Sequence, residues 1–193
     1  KVGEDILSKG GNAYDAAVAV GFALAVVLPR AGNIGGGGFM VMHDASSKEN
    51  YSIDYREKAP LKASRDMYLN EDGSVNYLRS TIGYLAIGVP GTVYGMWEVH
   101  KKFGSMPWEE LVQPSIDLAK NGFVMSPYMA MTLNRSHKKL SQFSETESIF
   151  YKDFPIELNC FDVIHYNGKN LMKKPLRERR EILEKIIKKE TQH

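Results

Sequence analysis

A chain of 193 residues with 43% hydrophobic and 25% charged residues has the composition of a globular protein, long enough to bury one good core. Its formal net charge of +2 excludes a uniformly basic nucleic-acid binder, its single cysteine, Cys160, excludes an internal disulfide or a cysteine-built zinc finger, and no apolar run is long enough to span a bilayer. The charge is uneven: residues 169–190 hold nine Lys/Arg against four Glu, net +5, leaving the remainder at net −3, and that asymmetry marks a boundary.

In chain order, Gly10-Gly11 reads as a turn, with Asn12 as N-cap and Asp15 three residues on in capping position. The helix they open, residues 13–28, is apolar nearly all round and is expected to be covered on most sides. Pro29 ends it. Then comes Gly32-Asn-Ile-Gly-Gly-Gly-Gly-Phe39, whose consecutive glycines imply positive φ angles or a backbone approached closely by something else, in a tight helix-to-strand connection or a ligand cradle. A phosphate loop is excluded, because the helix precedes the glycines and no Gly-Lys-Ser/Thr follows them. Residues 39–43 and 50–54, around a polar 44–49 connection, predict a β-hairpin.

Arg56-Glu57-Lys58-Ala59-Pro60 forms a charged loop just beyond a strand end, where a side chain is held in place yet reaches solvent. Arg56 is the candidate binding residue, and a surface ion pair with Glu57 or Asp54 is its alternative role. Residues 70–74 read as a turn, and Ile87-Gly-Val-Pro-Gly91 leads into a helix from 92 to about 102. Pro107 at a first helical position, Glu109 and Glu110 in the first turn and Gly122 at the far end frame the next helix with favourable electrostatic polarity. Another spans 127–140. The chain then changes character: a strand over 160–166, a turn at Asn167-Gly168, and a helix opened by Pro175 with Leu176, Ile182, Leu183, Ile186 and Ile187 on one side. Two domains are therefore expected, 1–158 and 159–193. No metal or cofactor site is expected.

Five stretches together carry a family resemblance. Lys9-Gly-Gly-Asn-Ala-Tyr-Asp-Ala-Ala17, Pro29-Arg-Ala-Gly-Asn-Ile-Gly-Gly-Gly-Gly-Phe-Met40, Asp54-Tyr-Arg-Glu-Lys-Ala-Pro60, Gly88-Val-Pro-Gly91 and Pro114-Ser-Ile-Asp-Leu-Ala-Lys-Asn-Gly-Phe123 resemble the large subunit of γ-glutamyltranspeptidase, over about residues 1–155. The resemblance implies an α+β fold, the αββα sandwich of N-terminal nucleophile hydrolases, incomplete in this chain. It also implies a self-cleaving precursor, a periplasmic or extracellular setting, and transfer or hydrolysis of γ-glutamyl groups such as that of glutathione. In that family the nucleophile is a threonine at the start of a small subunit, with its own α-amine as general base. That subunit and a γ-glutamyl small molecule are the implied partners, with no membrane and no nucleic acid. No catalytic residue is assigned to this chain. By its place in the motif, Arg56 matches the arginine that pairs with the substrate α-carboxylate. The glycine loop then links a buried helix to the first core strand near the substrate cleft and performs no chemistry.

Residues 159–188 carry a second, conflicting resemblance. Phe161-Asp-Val-Ile-His-Tyr-Asn-Gly168 and Pro175-Leu-Arg-Glu-Arg-Arg-Glu-Ile-Leu183 resemble part of the nucleotidyltransferase domain of ATP-dependent DNA ligases, in which Phe161 would pack on adenine. The lysine, basic and carboxylate motifs of that family are missing. A non-catalytic remnant or fusion, and a ligase fragment, stand as alternatives to the γ-glutamyl reading.

Overall fold

The computed structural model describes residues 1–153, 165–166, 169–171 and 173–190. The chain divides into two compact units, Lys1–Phe123 and Val124–His193.

The first unit opens on a helix that the residue pattern did not announce, α1 (Val2–Ser8), closed by the Gly10-Gly11 turn with Gly10 at φ +93°. Helix α2 (Ala13–Val27) starts as its capping residues dictate. Asn12 Oδ1 accepts the backbone N–H groups of Tyr14 (2.8 Å) and Asp15 (3.0 Å), and Asp15 Oδ2 accepts that of Asn12 (2.9 Å), a complete capping box. Strands β1 (Phe39–Asp44) and β2 (Glu49–Asp54) form the antiparallel hairpin, each one residue longer toward the turn than predicted. Met40, Met42, Tyr51 and Ile53 share the better-covered face, while Phe39 and Val41 lie on the exposed one. The turn at 70–74 closes through Asn70 N–H on Ser74 O (2.8 Å), with Gly73 at φ +82°. After a 3₁₀ turn, Tyr84–Ala86, come α3 (Thr92–Phe103) and α4 (Trp108–Asn121), with Pro107 one position earlier than expected, as N-cap.

Ile6 of α1, Val18, Ala19 and Phe22 of α2, Met96 of α3 and Leu111 of α4 make the core. Burying a large aliphatic side chain contributes about 1.5–3 kcal/mol. Helix α2 is less enclosed than its composition predicts, since Ala13, Ala17 and Leu24 are exposed. Its neighbours α1, α3 and α4 cover one side, and among the described residues no second layer covers the other.

Asp15 is the polar centre of this layer. It is fully buried, yet its carboxylate accepts Ser105 Oγ (2.6 Å), Ser105 N–H (3.1 Å) and Met106 N–H (3.4 Å) besides the Asn12 N–H. Burial pushes its carboxyl up, but these donors outweigh it and hold the group below its usual range. Asn12 Nδ2 adds a bond to Phe103 O (2.7 Å), so the start of α2 is tied to the α3–α4 connection.

In the second unit, α5 (Pro127–Leu140) is capped by Ser126 Oγ, which accepts Met129 N–H at 3.2 Å. Two short elements were not foreseen: α6 (Ser144–Glu147) and a π-helical turn, Ser148–Asp153. Tyr151 anchors them, donating its hydroxyl to Leu133 O (2.7 Å) and meeting His137 edge-on. Strands β3 (His165–Tyr166) and β4 (Lys169–Asn170) pair antiparallel, and α7 (Leu176–Glu190) follows Pro175. Leu183 is buried while Leu176 is exposed, so the apolar stripe is only partly used. The rest of the predicted 160–166 strand, with Cys160 and Phe161, and the Asn167-Gly168 turn lie outside the described residues.

Candidate functional site

Three motifs distant in sequence converge just past the hairpin. Tyr55 N–H donates to Gly38 O (3.0 Å) and Gly38 N–H to Tyr55 O (3.4 Å), carrying the ladder one step beyond β2. Lys58 and Val89 then exchange both backbone bonds, at 3.1 and 2.8 Å, which brings the 88–91 segment alongside. Finally Gly36 O accepts the N–H groups of Gly91 (2.8 Å) and Thr92 (3.1 Å). The glycine loop thereby satisfies donors that the start of α3 would otherwise leave unpaired, in place of a side-chain cap.

The glycines are there for close approach, not for unusual dihedrals. None of Gly35–Gly38 has positive φ. A Cβ on Gly37 would stand 2.5 Å from Tyr55 O and 2.7 Å from Glu57 N, and one on Gly88 3.0 Å from Glu57 Cβ. At Gly91 a Cβ would overlap the Tyr55 carbonyl. Gly35 alone in the run has open space around it. Of the two meanings a glycine run could carry, close approach is the one realised: the 55–57 segment lies against Gly37 and Gly38, and the Asn33 side chain against Gly36.

Arg56 sits at the centre of this knot. Its N–H donates to Asp54 Oδ1 (2.9 Å), its Nε donates to Glu57 Oε2 (3.2 Å), and its guanidinium lies 5.7 Å from the centroid of the Phe39 ring. The side chain remains 62% exposed. The ion pair considered from sequence therefore forms with Glu57, while Asp54 serves the backbone. The pair uses Nε, and the terminal nitrogens make no hydrogen bond among the described residues. Glu57 is held below the usual carboxyl range chiefly by its own backbone N–H; desolvation opposes this, and Arg56 and the Gly37 N–H add to the lowering. The result is a planar cation with one edge anchored and the other facing solvent, the geometry that takes a carboxylate in two parallel bonds.

Other features lie elsewhere. A groove of about 830 Å³ runs between the start of α2 and β1, lined in part by Tyr14, Met40, His43 and Phe103, and does not include Arg56. Thr92 is buried at the start of α3, and Thr81 and Thr132 donate their hydroxyls to backbone carbonyls. Among the described residues no group of His, Cys, Asp and Glu is placed to share a metal ion, and no helix is long and apolar enough to cross a membrane. Sequence reasoning missed the part played by Tyr55, whose ring rests on Gly38 and Gly95 at once, two residues far apart in the chain that give no local signal.

Known proteins match this arrangement. The family described as Gamma-glutamyltranspeptidase matches residues 1–163. A glutathione hydrolase proenzyme of Pseudomonas sp. (strain A14) is 56% identical over 125 residues, covering 65% of this chain and 22% of the relative. The glutathione hydrolase proenzyme of Escherichia coli (strain K12) is 45% identical over 154 residues, covering 79% of this chain and 26% of the relative. The chain thus spans about a quarter of the length of these curated relatives. The crystal structure of Helicobacter pylori gamma-glutamyltranspeptidase superposes with a TM-score of 0.77 at 48% identity, over 82% of this chain and 45% of that one. The fold is accordingly α+β, an incomplete portion of the N-terminal nucleophile hydrolase sandwich, with the hairpin as its piece of sheet. With the glycine loop, the Arg56 loop and the 88–91 segment all inside the matched range, the chain belongs to the γ-glutamyltranspeptidase family.

Proposed function

We propose that this chain supplies substrate recognition to an enzyme that transfers or hydrolyses γ-glutamyl groups, glutathione and related γ-glutamyl amides among them. Arg56 pairs with the substrate α-carboxylate. The observation that carries this reading is the anchored guanidinium: Nε on Glu57, backbone on Asp54, terminal nitrogens open to solvent. The nucleophile is a threonine at the start of a small subunit, a separate partner. Its hydroxyl attacks the γ-amide carbonyl while its own α-amine takes the proton and passes it to the amine that leaves as the C–N bond breaks; an amine or water then attacks the resulting γ-glutamyl ester and frees the threonine hydroxyl.

The hairpin supports such a partner. Among the described residues β1 and β2 each have one unpaired edge, and Phe39 and Val41 are 62% and 82% exposed, a surface that invites further strands. On this reading residues 1–158 serve this function and residues 159–193, which belong to the second compact unit, do not.

The test is to assemble the chain with a small subunit from a relative and follow γ-glutamyl anilide turnover. Arg56→Ala should cost about 2 kcal/mol in kcat/KM, the worth of a charged hydrogen-bonding partner. Unchanged turnover removes Arg56 from the site. A stable lysine-adenylate on incubation with labelled ATP would instead favour the ligase-like reading of the tail.

A further inference from the structure

Tyr55, the residue before Arg56, sits in a slot walled by glycines from two other segments. The base of its ring lies on Gly95 in α3. A Cβ at that position would overlap Tyr55 Cγ and stand 2.5 Å from its Cβ and 2.6 Å from Cδ1. The outer edge of the ring lies on Gly38, where a Cβ would stand 3.0 Å from Cε2 and 3.2 Å from Oη. The backbone is pinned as well, by the paired bonds to Gly38 and by Gly37 and Gly91 against the Tyr55 carbonyl. No hydrogen bond to the Tyr55 hydroxyl joins these contacts among the described residues, so shape holds the ring.

We infer that Tyr55 is the positioning residue for Arg56: its ring, seated between Gly38 and Gly95, sets where the guanidinium stands relative to the substrate carboxylate. This rests on the proposed role of Arg56. A ring has only two side-chain torsions, and a slot that fits it at both ends fixes both. The adjoining Cα inherits that placement, and the Asp54 and Glu57 bonds then orient what lies beyond it. Removing the ring leaves Arg56 chemically intact but loosely placed, and a displacement of about 1 Å in a substrate-positioning group costs up to about a hundredfold. Such a residue acts through another and touches no reacting atom.

The experiment uses the chain assembled with a small subunit and two substrates, a γ-glutamyl anilide and the matching 4-aminobutyryl anilide, which lacks the α-carboxylate. Tyr55→Ala should raise KM for the first about tenfold with little change in kcat, and leave KM for the second unaltered. Tyr55→Phe should restore the wild-type KM, because the ring rather than the hydroxyl fills the slot. Should Tyr55→Ala fail to assemble, Gly38→Ala serves: its new methyl presses only on the outer ring edge and should raise KM for the carboxylate substrate about threefold. Equal losses on both substrates, or no loss on either, overturn the inference. Arg56→Ala run alongside separates the two proposals. If it raises KM while the Tyr55 and Gly38 variants do not, only the positioning role fails; if it too changes nothing, the Arg56 reading fails and takes this one with it.

Discussion

In the helical layer Ile6, Val18 and Leu111 are wholly out of water and a buried carboxylate is saturated with donors, whereas between residues 56 and 91 no residue is buried at all. Both regions belong to the same compact unit. The layer is stabilised by apolar surface removed from solvent, and its geometry follows from how side chains fill space. The Arg56 knot has no such filling beyond the Tyr55 ring in its slot. It is held by backbone bonds between segments that come within contact distance only because Gly37, Gly88 and Gly91 lack a Cβ. A binding side chain must stay accessible, so the region presenting it cannot be secured by burying it. Close backbone contact is the alternative, and glycine is its requirement.

Substitutions can break or sharpen this contrast. The largest effect is expected in the layer: Asp15→Ala removes the buried acceptor shared by the Asn12, Ser105 and Met106 donors and should lower unfolding free energy by about 3 kcal/mol, read from urea denaturation. The same group predicts a pH dependence. Its carboxyl is depressed in the folded state from an ordinary value of 3.8, so its contribution is fully present above that value and lost as pH falls through the lower folded value. Stability should drop below about pH 4, and Asp15→Asn should flatten that acid limb. An identical acid limb in Asp15→Asn would shift the cause to other carboxylates.

The knot predicts a smaller, more local loss. Gly91→Ala drives a methyl into the Tyr55 carbonyl and should cost about 2 kcal/mol. The fluorescence of Trp97 and Trp108, which pack edge to face in the layer, should stay native. A changed tryptophan signal would show that the two regions respond as one. Gly35→Ala should have the smallest effect, none measurable, because Gly35 has no neighbour within 4 Å and no positive φ. A loss there comparable to Gly91→Ala would contradict close approach as the reason for the glycine run.

Where a feature depended on neighbours three or four residues away, the sequence determined it. Asn12 and Asp15 announce the start of α2 because a capping box is closed within one turn. Residues 39–54 announce the hairpin by alternation around a polar turn, and Ser126-Pro127 and Gly122 mark helix ends through backbone chemistry of their own. The five motifs also sufficed for the family and directed attention to Arg56. Other features came only from tertiary structure. That the capping carboxylate of Asp15 is also the buried partner of Ser105, ninety residues on, has no local signal. Nor does the meeting of Gly37, Gly88 and Gly91 on one stretch of backbone, or the slot that Gly38 and Gly95 leave for Tyr55. A missing Cβ is visible in a sequence, but what occupies its place is decided by which distant segment the packing brings there.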